Sequence, residues 1–157
     1  MASVEPIPNP QAPLSPYLCV NDGAKAIEFY KKAFGAEELY RLTEPRSGKV
    51  AHAEIKIGPA SIMLADEYPD MQFLSPLTLK GTPITLHLYV KDVDSFAERA
   101  VAAGLKVVRK IEDQFYGDRG GKFQDPFGHV WFLSTQKEIL SAEEIKKRAD
   151  KMFGGAP

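Results

Sequence analysis

Residues 15–22 read SPYLCVND and residues 85–92 read TLHLYVKD. At a shift of 70 the two rows set Leu18 over Leu88, Val20 over Val90 and Asp22 over Asp92. The echo continues: Gly58 falls on Gly128 at the same shift, and Gly35 falls on Gly104 with one residue deleted. Repetition at a fixed spacing means that one supersecondary unit is used twice. In the first copy YLCV reads as a strand, and GAKAIEFYKKAF carries Ala26, Ile27, Tyr30 and Phe34 at helical spacing with Gly35 as a stop. VAHAEIKIG and SIMLAD then form a hairpin about Gly58-Pro59, where proline's fixed φ and missing N–H suit a turn. The second copy repeats this with ITLHLYV, the helix VDSFAERAVAA, LKVVRKI, and a hairpin made of GGKFQDPFG and HVWFLST. The unit is β-α-β-β-β.

These signals divide one structural domain into five parts. Residues 1–13 form an extended proline-rich arm, within a stretch of five prolines in sixteen residues. Residues 14–66 form the first module and 84–137 the second. The connecting loop, 67–83, lies in DEYPDMQFLSPLTLKGTP, which lacks a period, as functional loops and linkers do. In 138–153, Ser141 and Glu144 make a capping box, and Ile145, Ala149 and Met152 share a face, which predicts a packed amphipathic helix.

Alternation along the strands sorts the residues by face. Leu18, Val20, Leu86, Leu88 and Val90 should pack on the helices, together with Ala53, Ile55, Ile57 and Phe123. That leaves Ser15, Tyr17, Cys19, Thr85, His87 and Tyr89 on the other face, with His52, Glu54, Lys122 and Gln124. Such a face is too polar for a core and richer in tyrosine than a solvated face requires; a concave ligand cavity suits the mixture. His87 is either a working group there or a cavity-lining histidine hydrogen-bonded to a tyrosine across the sheet. His52 and Glu54, two apart, can act as an oriented general base or are merely the polar residues of a half-exposed strand. Lys122 and Arg119 offer positive charge at the rim. Trp131 reads as core, His129 as a turn or rim residue, Asp125-Pro126 as turn-forming, and Cys19 as an inert cavity-lining thiol.

Twenty basic against twenty-one acidic residues, both signs interspersed, leave a net charge of −1 and no electrostatic footprint for nucleic acid or an anionic membrane. No apolar run approaches the roughly 18 residues of a membrane span. With one cysteine and no signal-peptide pattern, the expected location is the cytoplasm. Phosphate-cradling glycine loops, nucleophile elbows and CxxC pairs are absent from the sequence.

The duplicated unit, with PYLCVNDGAKAIEFYKKAFGAEELYR opening the first copy and GDRGGKFQDPFGHVWFLST closing the second, resembles the vicinal oxygen chelate superfamily of glyoxalases, bleomycin-resistance proteins and extradiol dioxygenases. HAEIKIG, LADEYP and DPFGHVW are also similar to its PhnB-like branch. The resemblance implies an α+β fold in which two βαβββ modules form a curved mixed sheet around a shared cavity, and a homodimer, often with modules or arms exchanged. It implies four metal-ligand positions, which fall on Ser15, Ile62, Thr85 and Phe132; none is an ordinary ligand, so the usual metal is not expected and no other cofactor is implied. The expected function is binding of a small organic molecule in a cavity lined by Tyr17, Cys19, Thr85, Tyr89, Lys122, Gln124 and Phe132, with His87, His52 and Glu54 as the reactive groups. One alternative is a metal-dependent lyase or dioxygenase with a displaced site on His52, Glu54 and His87, the two-histidine, one-carboxylate set suited to iron. The other is a non-catalytic dimeric module with a vestigial cavity.

Overall fold

A computed structural model of the chain describes residues 4–154. The first module runs β1 (Tyr17–Val20), α1 (Gly23–Phe34), β2 (Glu37–Thr43), β3 (Val50–Ile57) and β4 (Ala60–Asp66). The second runs β5 (Thr85–Tyr89), α3 (Val93–Ala102), β6 (Lys106–Asp113), β7 (Asp118–Gln124) and β8 (Val130–Gln136). Between them lie a 3-10 turn (Pro69–Met71) and the short helix α2 (Pro76–Leu79), and α4 (Ala142–Phe153) ends the chain. Each module makes its own four-stranded mixed sheet, ordered β1-β4-β3-β2 and β5-β8-β7-β6, with the first and last strands parallel. Among the described residues no helix is long and apolar enough to cross a membrane.

The repeated aspartates have a local cause. Asp22 and Asp92 are the N-caps of α1 and α3, accepting hydrogen bonds from the backbone N–H of Lys25 and Ser95. Gly35 ends α1 at φ +66°, a conformation in which a β-carbon would be strained. The helix faces predicted to be apolar are buried: Ala26, Ile27, Tyr30 and Phe34 from α1 join Ala53, Ile55, Phe123 and Trp131 in a single core spanning both modules.

That core sets the layering. Helices α1 and α3 pack on each other between the sheets, with Phe34 stacked on Phe96 at 5.5 Å and edge-on to Trp131 at 4.8 Å. The opposite faces of the two sheets therefore turn outward.

The strand ladders correct one assignment. Tyr17 pairs with Met63 where His87 pairs with Phe132, so β4 superposes on β8 at a shift of 69. The helix starts agree: Asp66 accepts from the N–H of Gly23, as Thr135 Oγ1 does from that of Val93. Ile62, aligned with Phe132 at a uniform shift of 70, is instead a core residue, 4 % exposed, and Met63 occupies the corresponding open-face position. The slip is the net of unequal connections: Glu54, opposite Met63, superposes on Lys122, opposite Phe132, at a shift of 68, so the second module is two residues shorter before this point and regains one in its longer β7–β8 turn.

Helix α4 differs from expectation as well. Ser141 caps it, accepting from the N–H of Glu144, but none of its residues is buried, and Phe153 remains 73 % exposed. Its hold on the fold is polar and peripheral: Arg148 pairs with Glu138 and reaches the Phe115 carbonyl, and Phe153 meets Phe115 edge-on.

The seam between the modules is closed by Asp125. Its Oδ2 accepts from Tyr30 Oη at 2.6 Å and Trp131 Nε1 at 2.9 Å, while Oδ1 accepts from the N–H groups of Phe127 and His129. Asp125→Ala leaves both buried side-chain donors unpaired, and the expected loss is about 2–6 kcal/mol against about 1 kcal/mol for Tyr30→Phe. Urea unfolding followed through the fluorescence of Trp131 checks this; equal losses would place the whole interaction in Tyr30.

Candidate functional site

On the first sheet the open face carries a string of polar side chains. Tyr17 Oη lies 2.6 Å from His52 Nδ1, and His52 Nε2 lies 3.7 Å from Glu54 Oε1. Tyr40 Oη donates to the same Glu54 oxygen at 3.2 Å, and its ring tilts against His52 at 5.7 Å. The imidazole can take either of two tautomers here. The one with its hydrogen on Nε2, the side of the Glu54 carboxylate, lets Nδ1 accept the Tyr17 proton.

A bulge aims this histidine. Thr43 pairs with Val50 and Leu42 with His52, leaving Ala51 as the extra residue of β3. Val50 and Ala53 on either side are buried in the core, so Ala51 and His52 both reach the open face. Beside them is a cavity of about 510 Å³ lined by Tyr17, Ala51, Ala65, Tyr68, Met71 and Phe73, the last three contributed by the connecting segment. Burial, then the neighbouring groups of Cys19 and Tyr68, raise the Tyr17 phenol above its ordinary range.

The second sheet holds a separate group. His87 Nε2 lies 2.5 Å from Ser134 Oγ, and its ring stacks on Tyr89 at 4.6 Å and leans on Phe132 at 5.0 Å. Tyr89 Oη donates to the buried Asp118 at 2.7 Å; that hydrogen bond, followed by burial, raises its phenol. Gly120 makes the stack possible, because a β-carbon there would stand 2.7 Å from the Phe132 ring and 2.6 Å from the Leu133 carbonyl. Lys122 pairs in register with Phe132, Gln124 reaches the Gly128 carbonyl at 3.5 Å, and Thr85 lies exposed opposite Val130. An open groove of about 660 Å³ runs past Tyr89, Lys91 and Gln136.

The predicted residues thus fall into two sets. Tyr17, Cys19, His52 and Glu54 belong to the first sheet, while Thr85, His87, Tyr89, Lys122, Gln124 and Phe132 belong to the second. The displaced metal set of His52, Glu54 and His87 is not assembled within one chain, since its members sit on sheets separated by the helix layers. Among the described residues no cluster of three or more His, Cys, Asp or Glu side chains is arranged to hold a metal. At the four positions where the resemblance places metal ligands, the corrected register gives Ser15, Met63, Thr85 and Phe132. Two hydroxyls, a thioether and a phenyl ring do not fit a hard divalent cation.

Two smaller expectations also change. Arg119 is bound to Asp94 at 2.8 Å and to Asp113 at 3.2 Å, so its charge is not free for a ligand at the rim. His129 does more than turn the chain, since its Nε2 lies 2.8 Å from the Cys19 carbonyl oxygen in the other module. Cys19 itself is an unreactive thiol, pushed up to about 12 by burial and by the charges of Glu67 and Asp66. Sequence reasoning passed over Tyr40, Ser134, Asp118 and Phe73. The first three sit on open-face or strand-end positions that alternation along β2, β7 and β8 marks; Phe73 sits in a segment with no period to read.

Comparison with known proteins supports the architecture. An uncharacterized protein of Mycobacterium bovis is 45 % identical over 141 residues, covering 88 % of this chain and 92 % of that one. A solved gene product of Arabidopsis thaliana is 28 % identical with a TM-score of 0.63, covering 77 % of this chain and 96 % of its own. The fosfomycin resistance protein FosX of Listeria monocytogenes, solved with Mn(II) and sulfate, has a TM-score of 0.61 at 22 % identity, covering 87 % of this chain and 95 % of its own, a likeness of fold alone. A family model matches residues 12–133, and with the twofold βαβββ architecture this shows that the chain belongs to the glyoxalase/bleomycin resistance protein/dioxygenase superfamily.

Proposed function

We propose that the protein is a cytoplasmic member of the PhnB-like branch that binds a small organic molecule on its open sheet faces without the superfamily's usual divalent metal. The observation that carries this reading is the Tyr17–His52–Glu54 string beside a preformed, largely apolar cavity, the combination of shape and sparse polar groups that ligand sites show. Within one chain each face is only half of an enclosure. Leu42 and Tyr89, each 58 % exposed, and Tyr40 stand on these faces beside the polar groups. A second copy laid sheet to sheet would cover them and set His87 and Tyr89 across from His52 and Glu54. The proposed partner is therefore the chain itself, and neither nucleic acid nor a membrane enters the reading.

In that enclosure His52 would serve as the proton-transfer group. Its Nδ1 exchanges a proton with Tyr17, and Glu54, held by Tyr40, fixes the ring. Should a reaction accompany binding, proton movement of this kind is what these residues supply.

The dimer is checked by sedimentation. The expected mass is twice 17.4 kDa, and Leu42→Asp, which places a charge in the proposed contact, should shift the protein to the monomer. A wild-type monomer at all concentrations would overturn the shared enclosure. The metal is checked by elemental analysis of protein purified without chelator and refilled with zinc, nickel, manganese or iron. Substoichiometric metal in every case is expected; close to one ion per chain, lost in His87→Ala, would instead establish a metal site.

A further inference from the structure

The segment that links the modules folds back over the open face of the first sheet. Tyr68 and Phe73 form an isolated antiparallel bridge, the 3-10 turn lies between them, and Gln72 takes the left-handed conformation at φ +57° to close it. Phe73 meets the Tyr17 ring edge-on at 5.6 Å. The result is a roof over a floor of two alanines, Ala51 and Ala65. The bulge in β3 is what gives the floor Ala51, and larger side chains at these two positions would fill the cavity.

The walls specify what the cavity can hold. Three of its six lining residues are aromatic, one is methionine and none is charged. A planar apolar body suits such walls, because ring-on-ring contacts add to the burial of its surface. The polar handle is Tyr17 Oη. In the tautomer with its hydrogen on Nε2, the side of Glu54, His52 Nδ1 takes up the Tyr17 proton and the oxygen presents only lone pairs to a ligand. Lone pairs backed by a carboxylate favour a donor and disfavour an anion. The roof carries a further incentive. Tyr68 Oη is the buried side-chain polar atom that lacks a hydrogen-bond partner among the described residues, a costly state that a shift of the roof onto a bound acceptor would relieve. A cation over the Tyr68 ring is disfavoured, since the Lys49 ammonium already stands 5.2 Å from its centroid.

We propose that this cavity takes a neutral planar aromatic molecule bearing a hydroxyl, a phenol-class ligand that donates its proton to Tyr17 Oη and turns its oxygen toward Tyr68. The assignment rests on the reading of the first sheet's open face as a small-molecule site and names the ligand class for it.

The test uses three probes of one ring system, 2-naphthol, 2-methoxynaphthalene and 2-naphthoate, titrated into the full chain at neutral pH and followed by ligand-observed NMR. 2-Naphthol is expected to bind at least about fivefold more tightly than the methoxy compound, the difference one hydrogen bond makes, and naphthoate weakest. Tyr17→Phe should erase the preference for naphthol while methoxynaphthalene still binds. Ala51→Leu, at an exposed position, should abolish binding of both with the thermal unfolding temperature unchanged. Equal binding of naphthol and methoxynaphthalene, both lost in Ala51→Leu, would overturn the ligand class and leave the face as a small-molecule site. Tightest binding of naphthoate would overturn the requirement for a neutral ligand. Binding that survives Ala51→Leu would overturn the location, and failure of all three probes would overturn the planar aromatic class while leaving the small-molecule reading of the face to ligands of other shape.

Discussion

Asp125 lies in the seam between the two modules, and its two oxygens divide the work. One holds the five-residue turn of the last hairpin by accepting from the backbone N–H groups of Phe127 and His129; the other accepts from Tyr30 of the first module and from Trp131. A buried acceptor that satisfies four donors fixes their positions together, because displacing any one leaves a polar group without water or partner. Burial and this carboxylate raise the Tyr30 phenol well above its ordinary range, which keeps it a donor. Around the lock the aromatic side chains of α1 find their places: Phe29 against Phe127, and Tyr30 and Phe34 against Trp131.

This seam decides which faces stay open. Because the modules are joined through α1 and α3 and the Tyr30–Asp125–Trp131 contact, both helix-bearing faces are consumed in the core. The polar faces are left outward. Each sheet then develops its own arrangement: tyrosine, histidine and glutamate in a row on the first, and a histidine between a buried serine and a stacked tyrosine on the second. The duplication has diverged accordingly. Tyr17 and His87 occupy equivalent places yet form different contacts, and Asp66 and Thr135 perform one capping task with different oxygens. The two similar halves therefore offer unlike open faces.

The connecting segment adds a feature that neither module has alone. Residues 68–73 are anchored at the bridge of Tyr68 with Phe73 and rest on the Tyr17 ring, so the site of the first sheet has a roof of its own. The helix α2 that follows is capped by Ser75 and approaches β1, holding the segment against the module it roofs rather than letting it span freely.

By itself the sequence determined the twofold unit, its two long module helices, its strands other than β2, and the facing of most side chains. These follow from local rules: alternation along a strand, helical spacing, aspartate at a helix start and glycine at its end. Leu18, Ile55, Phe123 and Trp131 are core for that reason, and Tyr17, His52, Glu54 and His87 lie outside it. Register was not local. A uniform offset of 70 carried Ile62 to the wrong face, since turn length and ladder pairing, set by contacts between strands, moved β4 by one residue. Nor could alternation show that His52 and His87 stand on sheets held apart by two helices, that Arg119 is bound by two aspartates, or that Phe73 closes over Tyr17. Such facts depend on which surfaces the core consumes, a competition among all the apolar faces at once, and only the tertiary structure resolves it.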